Sequence, residues 1–119
     1  MNPEEMRARM KQFALRILKL ADALPRTVSG RTLAGQIARS GCSTAANYRA
    51  AGKARSKAEF IAKLGIAEEE ADETQFWLEM IAESGLVSAT KLEALHQEAC
   101  ELTAIIAASR KTAAARAAG

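Results

Sequence analysis

The chain has 119 residues, a formal net charge of +3, and 49% hydrophobic but only 4% aromatic residues. That length supports one domain with one core, and the shortage of rings leaves alanine, leucine, isoleucine and methionine to fill it. No apolar run approaches the roughly 18–20 residues that span a bilayer, and two prolines with no Asn-Gly or Asp-Gly pair leave β-hairpins without their turns.

The first helix is expected from Pro3 to Ala23, opened by proline and by Glu4 and Glu5 at its positive end. Met6, Met10, Phe13, Ile17, Leu20 and Leu24 recur at helical spacing as one apolar stripe. Arg7, Arg9, Lys11, Arg16 and Lys19 occupy the other faces and read as a solvated surface. Pro25 ends the helix.

The second helix is expected from Gly30 to Ala51, with Ser29 as its N-cap and Gly52 as its stop. Leu33 and Ile37 form an apolar ridge that Ser40, Thr44 and Asn47 continue in polar form. Its surface is unusually small: Ala34, Gly35, Ala38, Gly41, Ser43, Ala45 and Ala46 leave little beyond Cβ to hold a neighbour away. Glycine within a helix costs roughly 0.5–1 kcal/mol relative to alanine, which close packing of another helix at Gly41 and Ser43 would offset. Asn47 reads as a structural hydrogen bonder to a neighbouring helix terminus.

The third and longest helix is expected from Lys57 to Ser84, with Ser56-Lys57-Ala58-Glu59 as a capping box. Phe60, Leu64, Ala67, Ala71, Thr74, Leu78 and Ile81 keep an unbroken seam, the clearest periodic signal in the chain. Ile66, Trp77 and Met80 lie off that seam, so this helix faces more than its own core. Glu68, Glu69, Glu70, Asp72 and Glu73 form the one dense acidic block, without the paired Glu-x-x-His motifs of a di-metal bundle.

Gly85 closes the third helix. The fourth is expected from Ala89 to Arg110, capped by Ser88 or Thr90, with Leu92, Leu95, Ala99, Leu102 and Ile106 inward. His96 sits beside that stripe as an ordinary boundary residue, and the alanine-rich segment from Lys111 to Gly119 has nothing to bury and is expected to fray. Four amphipathic segments with short connections predict a single all-α domain, an up-down-up-down antiparallel four-helix bundle.

Cys42 and Cys100 fit neither a disulfide framework nor, with one histidine, a zinc site. They are expected as small buried hydrophobes in a reduced, cytoplasmic protein with no secretory leader. Charge is segregated. Residues 1–55 carry 11 lysines and arginines against 3 acids, and residues 56–101 carry 3 against 11. Such asymmetry suits an anionic partner or electrostatic self-association.

Leu24-Pro25, Leu33, Gln36, Arg39-Ser40, Ser43, Ala46-Asn47 and Arg49 to Gly52, followed by Arg55-Ser56, Glu59-Phe60, Leu64, Ile66-Ala67, Ala71 to Glu73 and Trp77-Leu78, carry a resemblance in their order and spacing. The chain resembles the four-helix-bundle proteins encoded by intervening sequences within bacterial 23S ribosomal RNA genes. The resemblance implies a bundle that assembles as a homopentameric ring, with no established enzyme activity. The related accessory proteins of diversity-generating retroelements are similar in fold and imply a basic pentamer associated with a reverse transcriptase and nucleic acid. The residues fit either branch. Tyr48-Arg49-Ala50 departs from the commoner form, with Arg49 standing where an acid is usual.

Two functional readings follow. In the first, a non-enzymatic oligomer contacts RNA or DNA backbones through Arg39, Arg49, Lys53 and Arg55, by charge and shape, since one tyrosine and one tryptophan make no stacking platform. In the second, a structural or protein-interaction module pairs its basic helices with the acidic helix of another subunit, and Gly41, Ser43, Asn47 and Trp77 serve packing. Arginines bound to Glu69, Asp72 or Glu73 would favour the second. No phosphate loop, nucleophile elbow, metal cluster or cofactor motif is present, so catalysis is not expected.

Overall fold

The computed structural model describes all residues from Met1 to Gly119. The chain forms four helices and no strand: α1 (Pro3–Ala23), α2 (Val28–Ala51), α3 (Lys57–Glu83) and α4 (Ala89–Ala118). Successive helices pack against one another, α1 on α2, α2 on α3 and α3 on α4, while α1 and α4 touch only lightly. As the position on α3 rises from Glu68 through Gln75 to Glu79, its partner on α4 falls from Arg110 through Thr103 to His96. Those two helices therefore run antiparallel. The result is a four-helix bundle 50 × 22 × 22 Å in extent. No helix is long and apolar enough to cross a membrane.

Each helix starts where a side chain can satisfy its free amide groups. Asn2 Oδ1 accepts from the Glu5 N–H at 2.8 Å and Ser56 Oγ from the Glu59 N–H at 3.0 Å. Ser88 caps α4 by accepting from the Lys91 N–H, in preference to Thr90. α2 begins two residues earlier than its periodicity suggests, because Thr27 rather than Ser29 is the cap, its Oγ1 accepting from the Gly30 N–H at 3.0 Å. Gly30 in the first turn is needed for another reason: a Cβ there would stand 1.9 Å from the Pro25 carbonyl oxygen. Gly85 adopts a positive φ of 78° just beyond α3, a conformation glycine takes without steric cost.

One core of 19 buried residues runs through all four helices. Met10, Phe13 and Ile17 of α1, Ile37 of α2, Leu64, Leu78 and Ile81 of α3, and Leu102 and Ile106 of α4 are its largest fully buried apolar members. The expected stripes hold, with Leu20 and Phe60 half-buried at their margins. In α1, Ala14 and Ala21 are also buried. Where the α2 ridge turns polar, Ser40 and Thr44 are fully buried, and α3 answers with Thr74, whose Oγ1 donates to Ser40 Oγ at 2.8 Å. Thr44 bonds back to the Ser40 carbonyl, so no buried side-chain polar atom lacks a partner.

Asn47 differs from expectation. It is half-buried, and its Nδ2 donates to the Ser43 carbonyl and Oγ one turn earlier on its own helix, the local bonding by which a short amide competes with contacts to a neighbouring helix. The two cysteines, both free, differ in burial: they are half-buried rather than part of the core. α4 continues to Ala118, past Arg110 where the apolar stripe stops. Alanine is the strongest helix former, and propagating a packed helix costs no new nucleus.

Polar bridges tie the helices together at the surface. Arg9 of α1 makes a two-pronged contact with Glu98 of α4, Nε to Oε2 at 2.9 Å and Nη2 to Oε1 at 2.6 Å. Arg39 of α2 reaches Glu70 at 3.0 Å and also Glu73, and Arg110 of α4 meets Glu68 at 2.5 Å. The Arg9 bond holds the Glu98 carboxyl below the usual carboxylate range, against the opposing push of burial.

Two outcomes test this packing. A Cβ at Gly41 would lie 2.8 Å from Ile17 Cγ2, whereas one at Gly35 meets nothing within 4 Å. Gly41→Leu is therefore expected to destabilise by about 1–3 kcal/mol or more and Gly35→Ala to stabilise by up to ~1 kcal/mol, read as thermal midpoints moving in opposite directions. Because Glu98 is more acidic folded than unfolded, its contribution is complete above the ordinary carboxylate value and disappears as pH falls through its depressed one. Glu98→Gln should thus lower the midpoint near neutral pH and lose that deficit in acid, measured by thermal melts across a pH series.

Candidate functional site

The small face of α2 lets α1 lie close, and the consequence is electrostatic. Arg7 and Lys11 are four residues apart on α1, Arg49 and Lys53 four apart near the end of α2, so each pair shares one helix face. The bundle brings both pairs to a groove of about 700 Å³ floored by Ala8, Ala45, Ala46 and Gly52, with Glu4 the sole acid on its wall. All four cations are exposed, and none makes an ion pair. Arg7 Nη1 lies beside Gly52, 3.6 Å from where a Cβ would stand, an ordinary contact distance. Beside the groove, burial pushes the Tyr48 phenol up, an effect that nearby Arg7 opposes.

Of the four basic residues singled out from sequence, Arg49 and Lys53 meet in this groove and Arg39 and Arg55 do not line it. Arg39 faces α3, where the hydrogen bonds it donates to Glu73 and Glu70 hold its guanidinium still more firmly protonated and the Glu73 carboxyl correspondingly low. Arg55 sits exposed in the α2–α3 connection, where its backbone N–H donates to Glu59 at 3.4 Å. Arg7 and Lys11 join instead. Their signal in the sequence was a pair of cations at i and i+4 on a helix destined to pack on the alanine-lined face of α2; a solvated face looks the same until that neighbour is placed.

The packing residues divide as follows. Gly41 is in direct contact with Ile17. Ser43 serves as the acceptor for Asn47 within α2. Trp77 is half-buried, donates Nε1–H to Glu73 Oε1 at 3.2 Å, and meets Phe76 edge to face with ring centres 4.9 Å apart. Through Glu73 it belongs to the same hydrogen-bonded group as Arg39. Outside this group α3 exposes Ile66, Phe76 and Met80, and α1 exposes Leu15 and Leu18, each between 37% and 50% accessible.

What the arrangement can do chemically is attract anions. Four cations outside any ion pair, carried on two packed helices, concentrate positive charge at one groove, and no titratable group in it is paired as an acid with a base.

Comparison with known proteins agrees with this architecture. The chain is similar over 93% of its length to a protein of unknown function from the S23 ribosomal protein family of Bacteroides thetaiotaomicron, covering 99% of that chain at 32% identity with a TM-score of 0.86. Among curated proteins none matches. The family model for the 23S rRNA-intervening sequence protein matches residues 4–108, which takes in α1 to α3, most of α4 and both walls of the basic groove, and the chain belongs to that family.

Proposed function

We propose that this protein is a non-enzymatic, self-assembling cytoplasmic bundle that holds RNA or DNA backbones in the groove lined by Arg7, Lys11, Arg49 and Lys53. The observation that carries this reading is the convergence of four exposed, unpaired cations from two helices on one groove with a single acid. Arg39, by contrast, spends its charge on Glu70 and Glu73, which leaves phosphate contact to the groove. Contacts of this kind read backbone charge and shape rather than base sequence.

Assembly multiplies such a surface. The exposed apolar residues of α1 and α3 offer subunit contacts, and the homopentameric ring implied by family likeness would place five grooves on one particle, so that weak phosphate contacts add through avidity. The alternative reading, a structural module whose basic and acidic helices pair between subunits, draws support from the acidic residues of α3 that remain free, Glu69 and Asp72. The pairing of Arg39 with Glu73 also favours it; against it, that pair and those of Glu68 and Glu70 lie within one subunit, and Arg49 and Arg55 pair with no acid of α3.

The test is titration against structured RNA and duplex DNA at several salt concentrations, with assembly mass recorded in the same buffers. Binding is expected to fall linearly in log–log form with salt. Reversing Arg7, Lys11, Arg49 and Lys53 to Glu should abolish it with the mass unchanged, and single alanine variants should each reduce the slope by about 1. Arg39→Ala should leave the slope unaltered. Retained affinity in the fourfold variant would place the binding surface elsewhere, and a stable oligomer with no binding at low salt would favour the structural reading.

A further inference from the structure

Cys100 and His96 are one turn apart on α4, and α3 brings Glu79 and Gln75 against them. His96 Nε2 lies 3.0 Å from Glu79 Oε2. A carboxylate only accepts, so this nitrogen bears the proton, and the neutral ring then turns an unprotonated Nδ1 toward Cys100 Sγ at 3.8 Å. At rest the thiol donates to Gln75 Oε1 at 3.3 Å, and Gln75 is anchored by its own donation to Thr103 Oγ1 at 2.7 Å. Thiol, base and base-orienting carboxylate thus stand in the order that activates a nucleophile.

The row opens onto a second groove, of about 660 Å³, between α3 and α4. Leu78, Ala82 and Leu92 give it an apolar wall, and its charged lining is all carboxylate: Glu79, Glu83 and Glu93. No lysine or arginine lines it. Burial, with Glu79 and Asp72 nearby, pushes the Cys100 thiol up. The resting group is therefore a thiol, and it needs a base at the moment of attack.

We propose that Cys100 is a nucleophilic thiol served by His96 as base, and that it forms mixed disulfides with small cationic or neutral disulfides entering the α3–α4 groove. The Sγ–H proton passes to His96 Nδ1 as Sγ attacks one sulfur of the incoming disulfide. The protein–sulfur bond forms, the disulfide's own S–S bond breaks, and the departing thiolate takes the proton back from His96. One disulfide is consumed and one is made, so no further oxidant or reductant enters. The carboxylates around the groove favour a cationic disulfide over an anionic one.

Cystamine is the probe, with peptide mapping to follow Cys100 and Cys42 separately in the intact wild-type chain. His96→Gln should slow modification of Cys100 at neutral pH by about tenfold or more, with the deficit shrinking as pH rises and Cys42 unaffected. Glu79→Gln should also slow Cys100, through loss of the tautomer that frees Nδ1. His96 has a side chain 35% exposed, so its replacement should leave the thermal midpoint close to wild type, and Glu79→Gln supplies an independent variant if it does not. Rates normalised to the urea-unfolded chain should favour cystamine over the dianionic 5,5′-dithiobis(2-nitrobenzoate). Equal Cys100 rates in wild type and both variants would overturn the assignment of His96, and an anionic reagent reacting as readily after normalisation would overturn the ligand class.

Discussion

The close approach of α1 to α2 at Gly41 is the constraint on which the rest of the structure depends. Ile17 fills the space a Cβ would need, and both residues are buried where their helices meet. The glycine costs about 0.5–1 kcal/mol of helix propensity, and burying an isoleucine side chain contributes about 1.5–3 kcal/mol in return. Further along, Ala45, Ala46 and Ala8 keep the two backbones near each other. That spacing sets the density of positive charge in the basic groove, since a wider pair would separate Arg7 and Lys11 from Arg49 and Lys53. Packing geometry and electrostatics are one feature here.

The strong segregation of charge along the chain resolves differently on its two sides. Part of the acidic side is satisfied within the subunit: Glu68 by Arg110, Glu70 and Glu73 by Arg39, Glu98 by Arg9. Each exposed pair contributes little to stability on its own. What these pairs do is remove particular arginines from consideration as ligand contacts. On the basic side only Arg9 and Arg39 have such partners, and four of the cations left without one, Arg7, Lys11, Arg49 and Lys53, share a single groove.

Helices and core were legible because the seams are long and regular: Leu64, Ala67, Ala71, Thr74, Leu78 and Ile81 could belong to nothing but a buried helix face. Boundaries were less so at α2, where Thr27 and Ser29 have equal claim as caps until the bond from the Gly30 N–H to Thr27 Oγ1 is visible. The site was half legible. Arg49 and Lys53 stand out beside a helix stop, but Arg39 looks the same in sequence, and only the height of Glu70 and Glu73 on the neighbouring helix distinguishes them. Arg7 and Lys11 depend on which face of α1 meets α2, and Cys100, His96 and Glu79 depend on the α3–α4 register. Periodicity names the face that turns inward; it does not say which two outward faces adjoin.

The pattern of helix contacts, consecutive pairs closely packed and α1 on α4 sparse, bears on how the chain reaches this state. Almost every interface joins segments separated by one short loop, so the entropy lost in closing each is small and the contact order is low. Chains of this topology belong with the fast folders. The Gly41–Ile17 contact involves α1 and α2 alone, and during synthesis the two helices that carry the entire basic groove have both been made before the last helix.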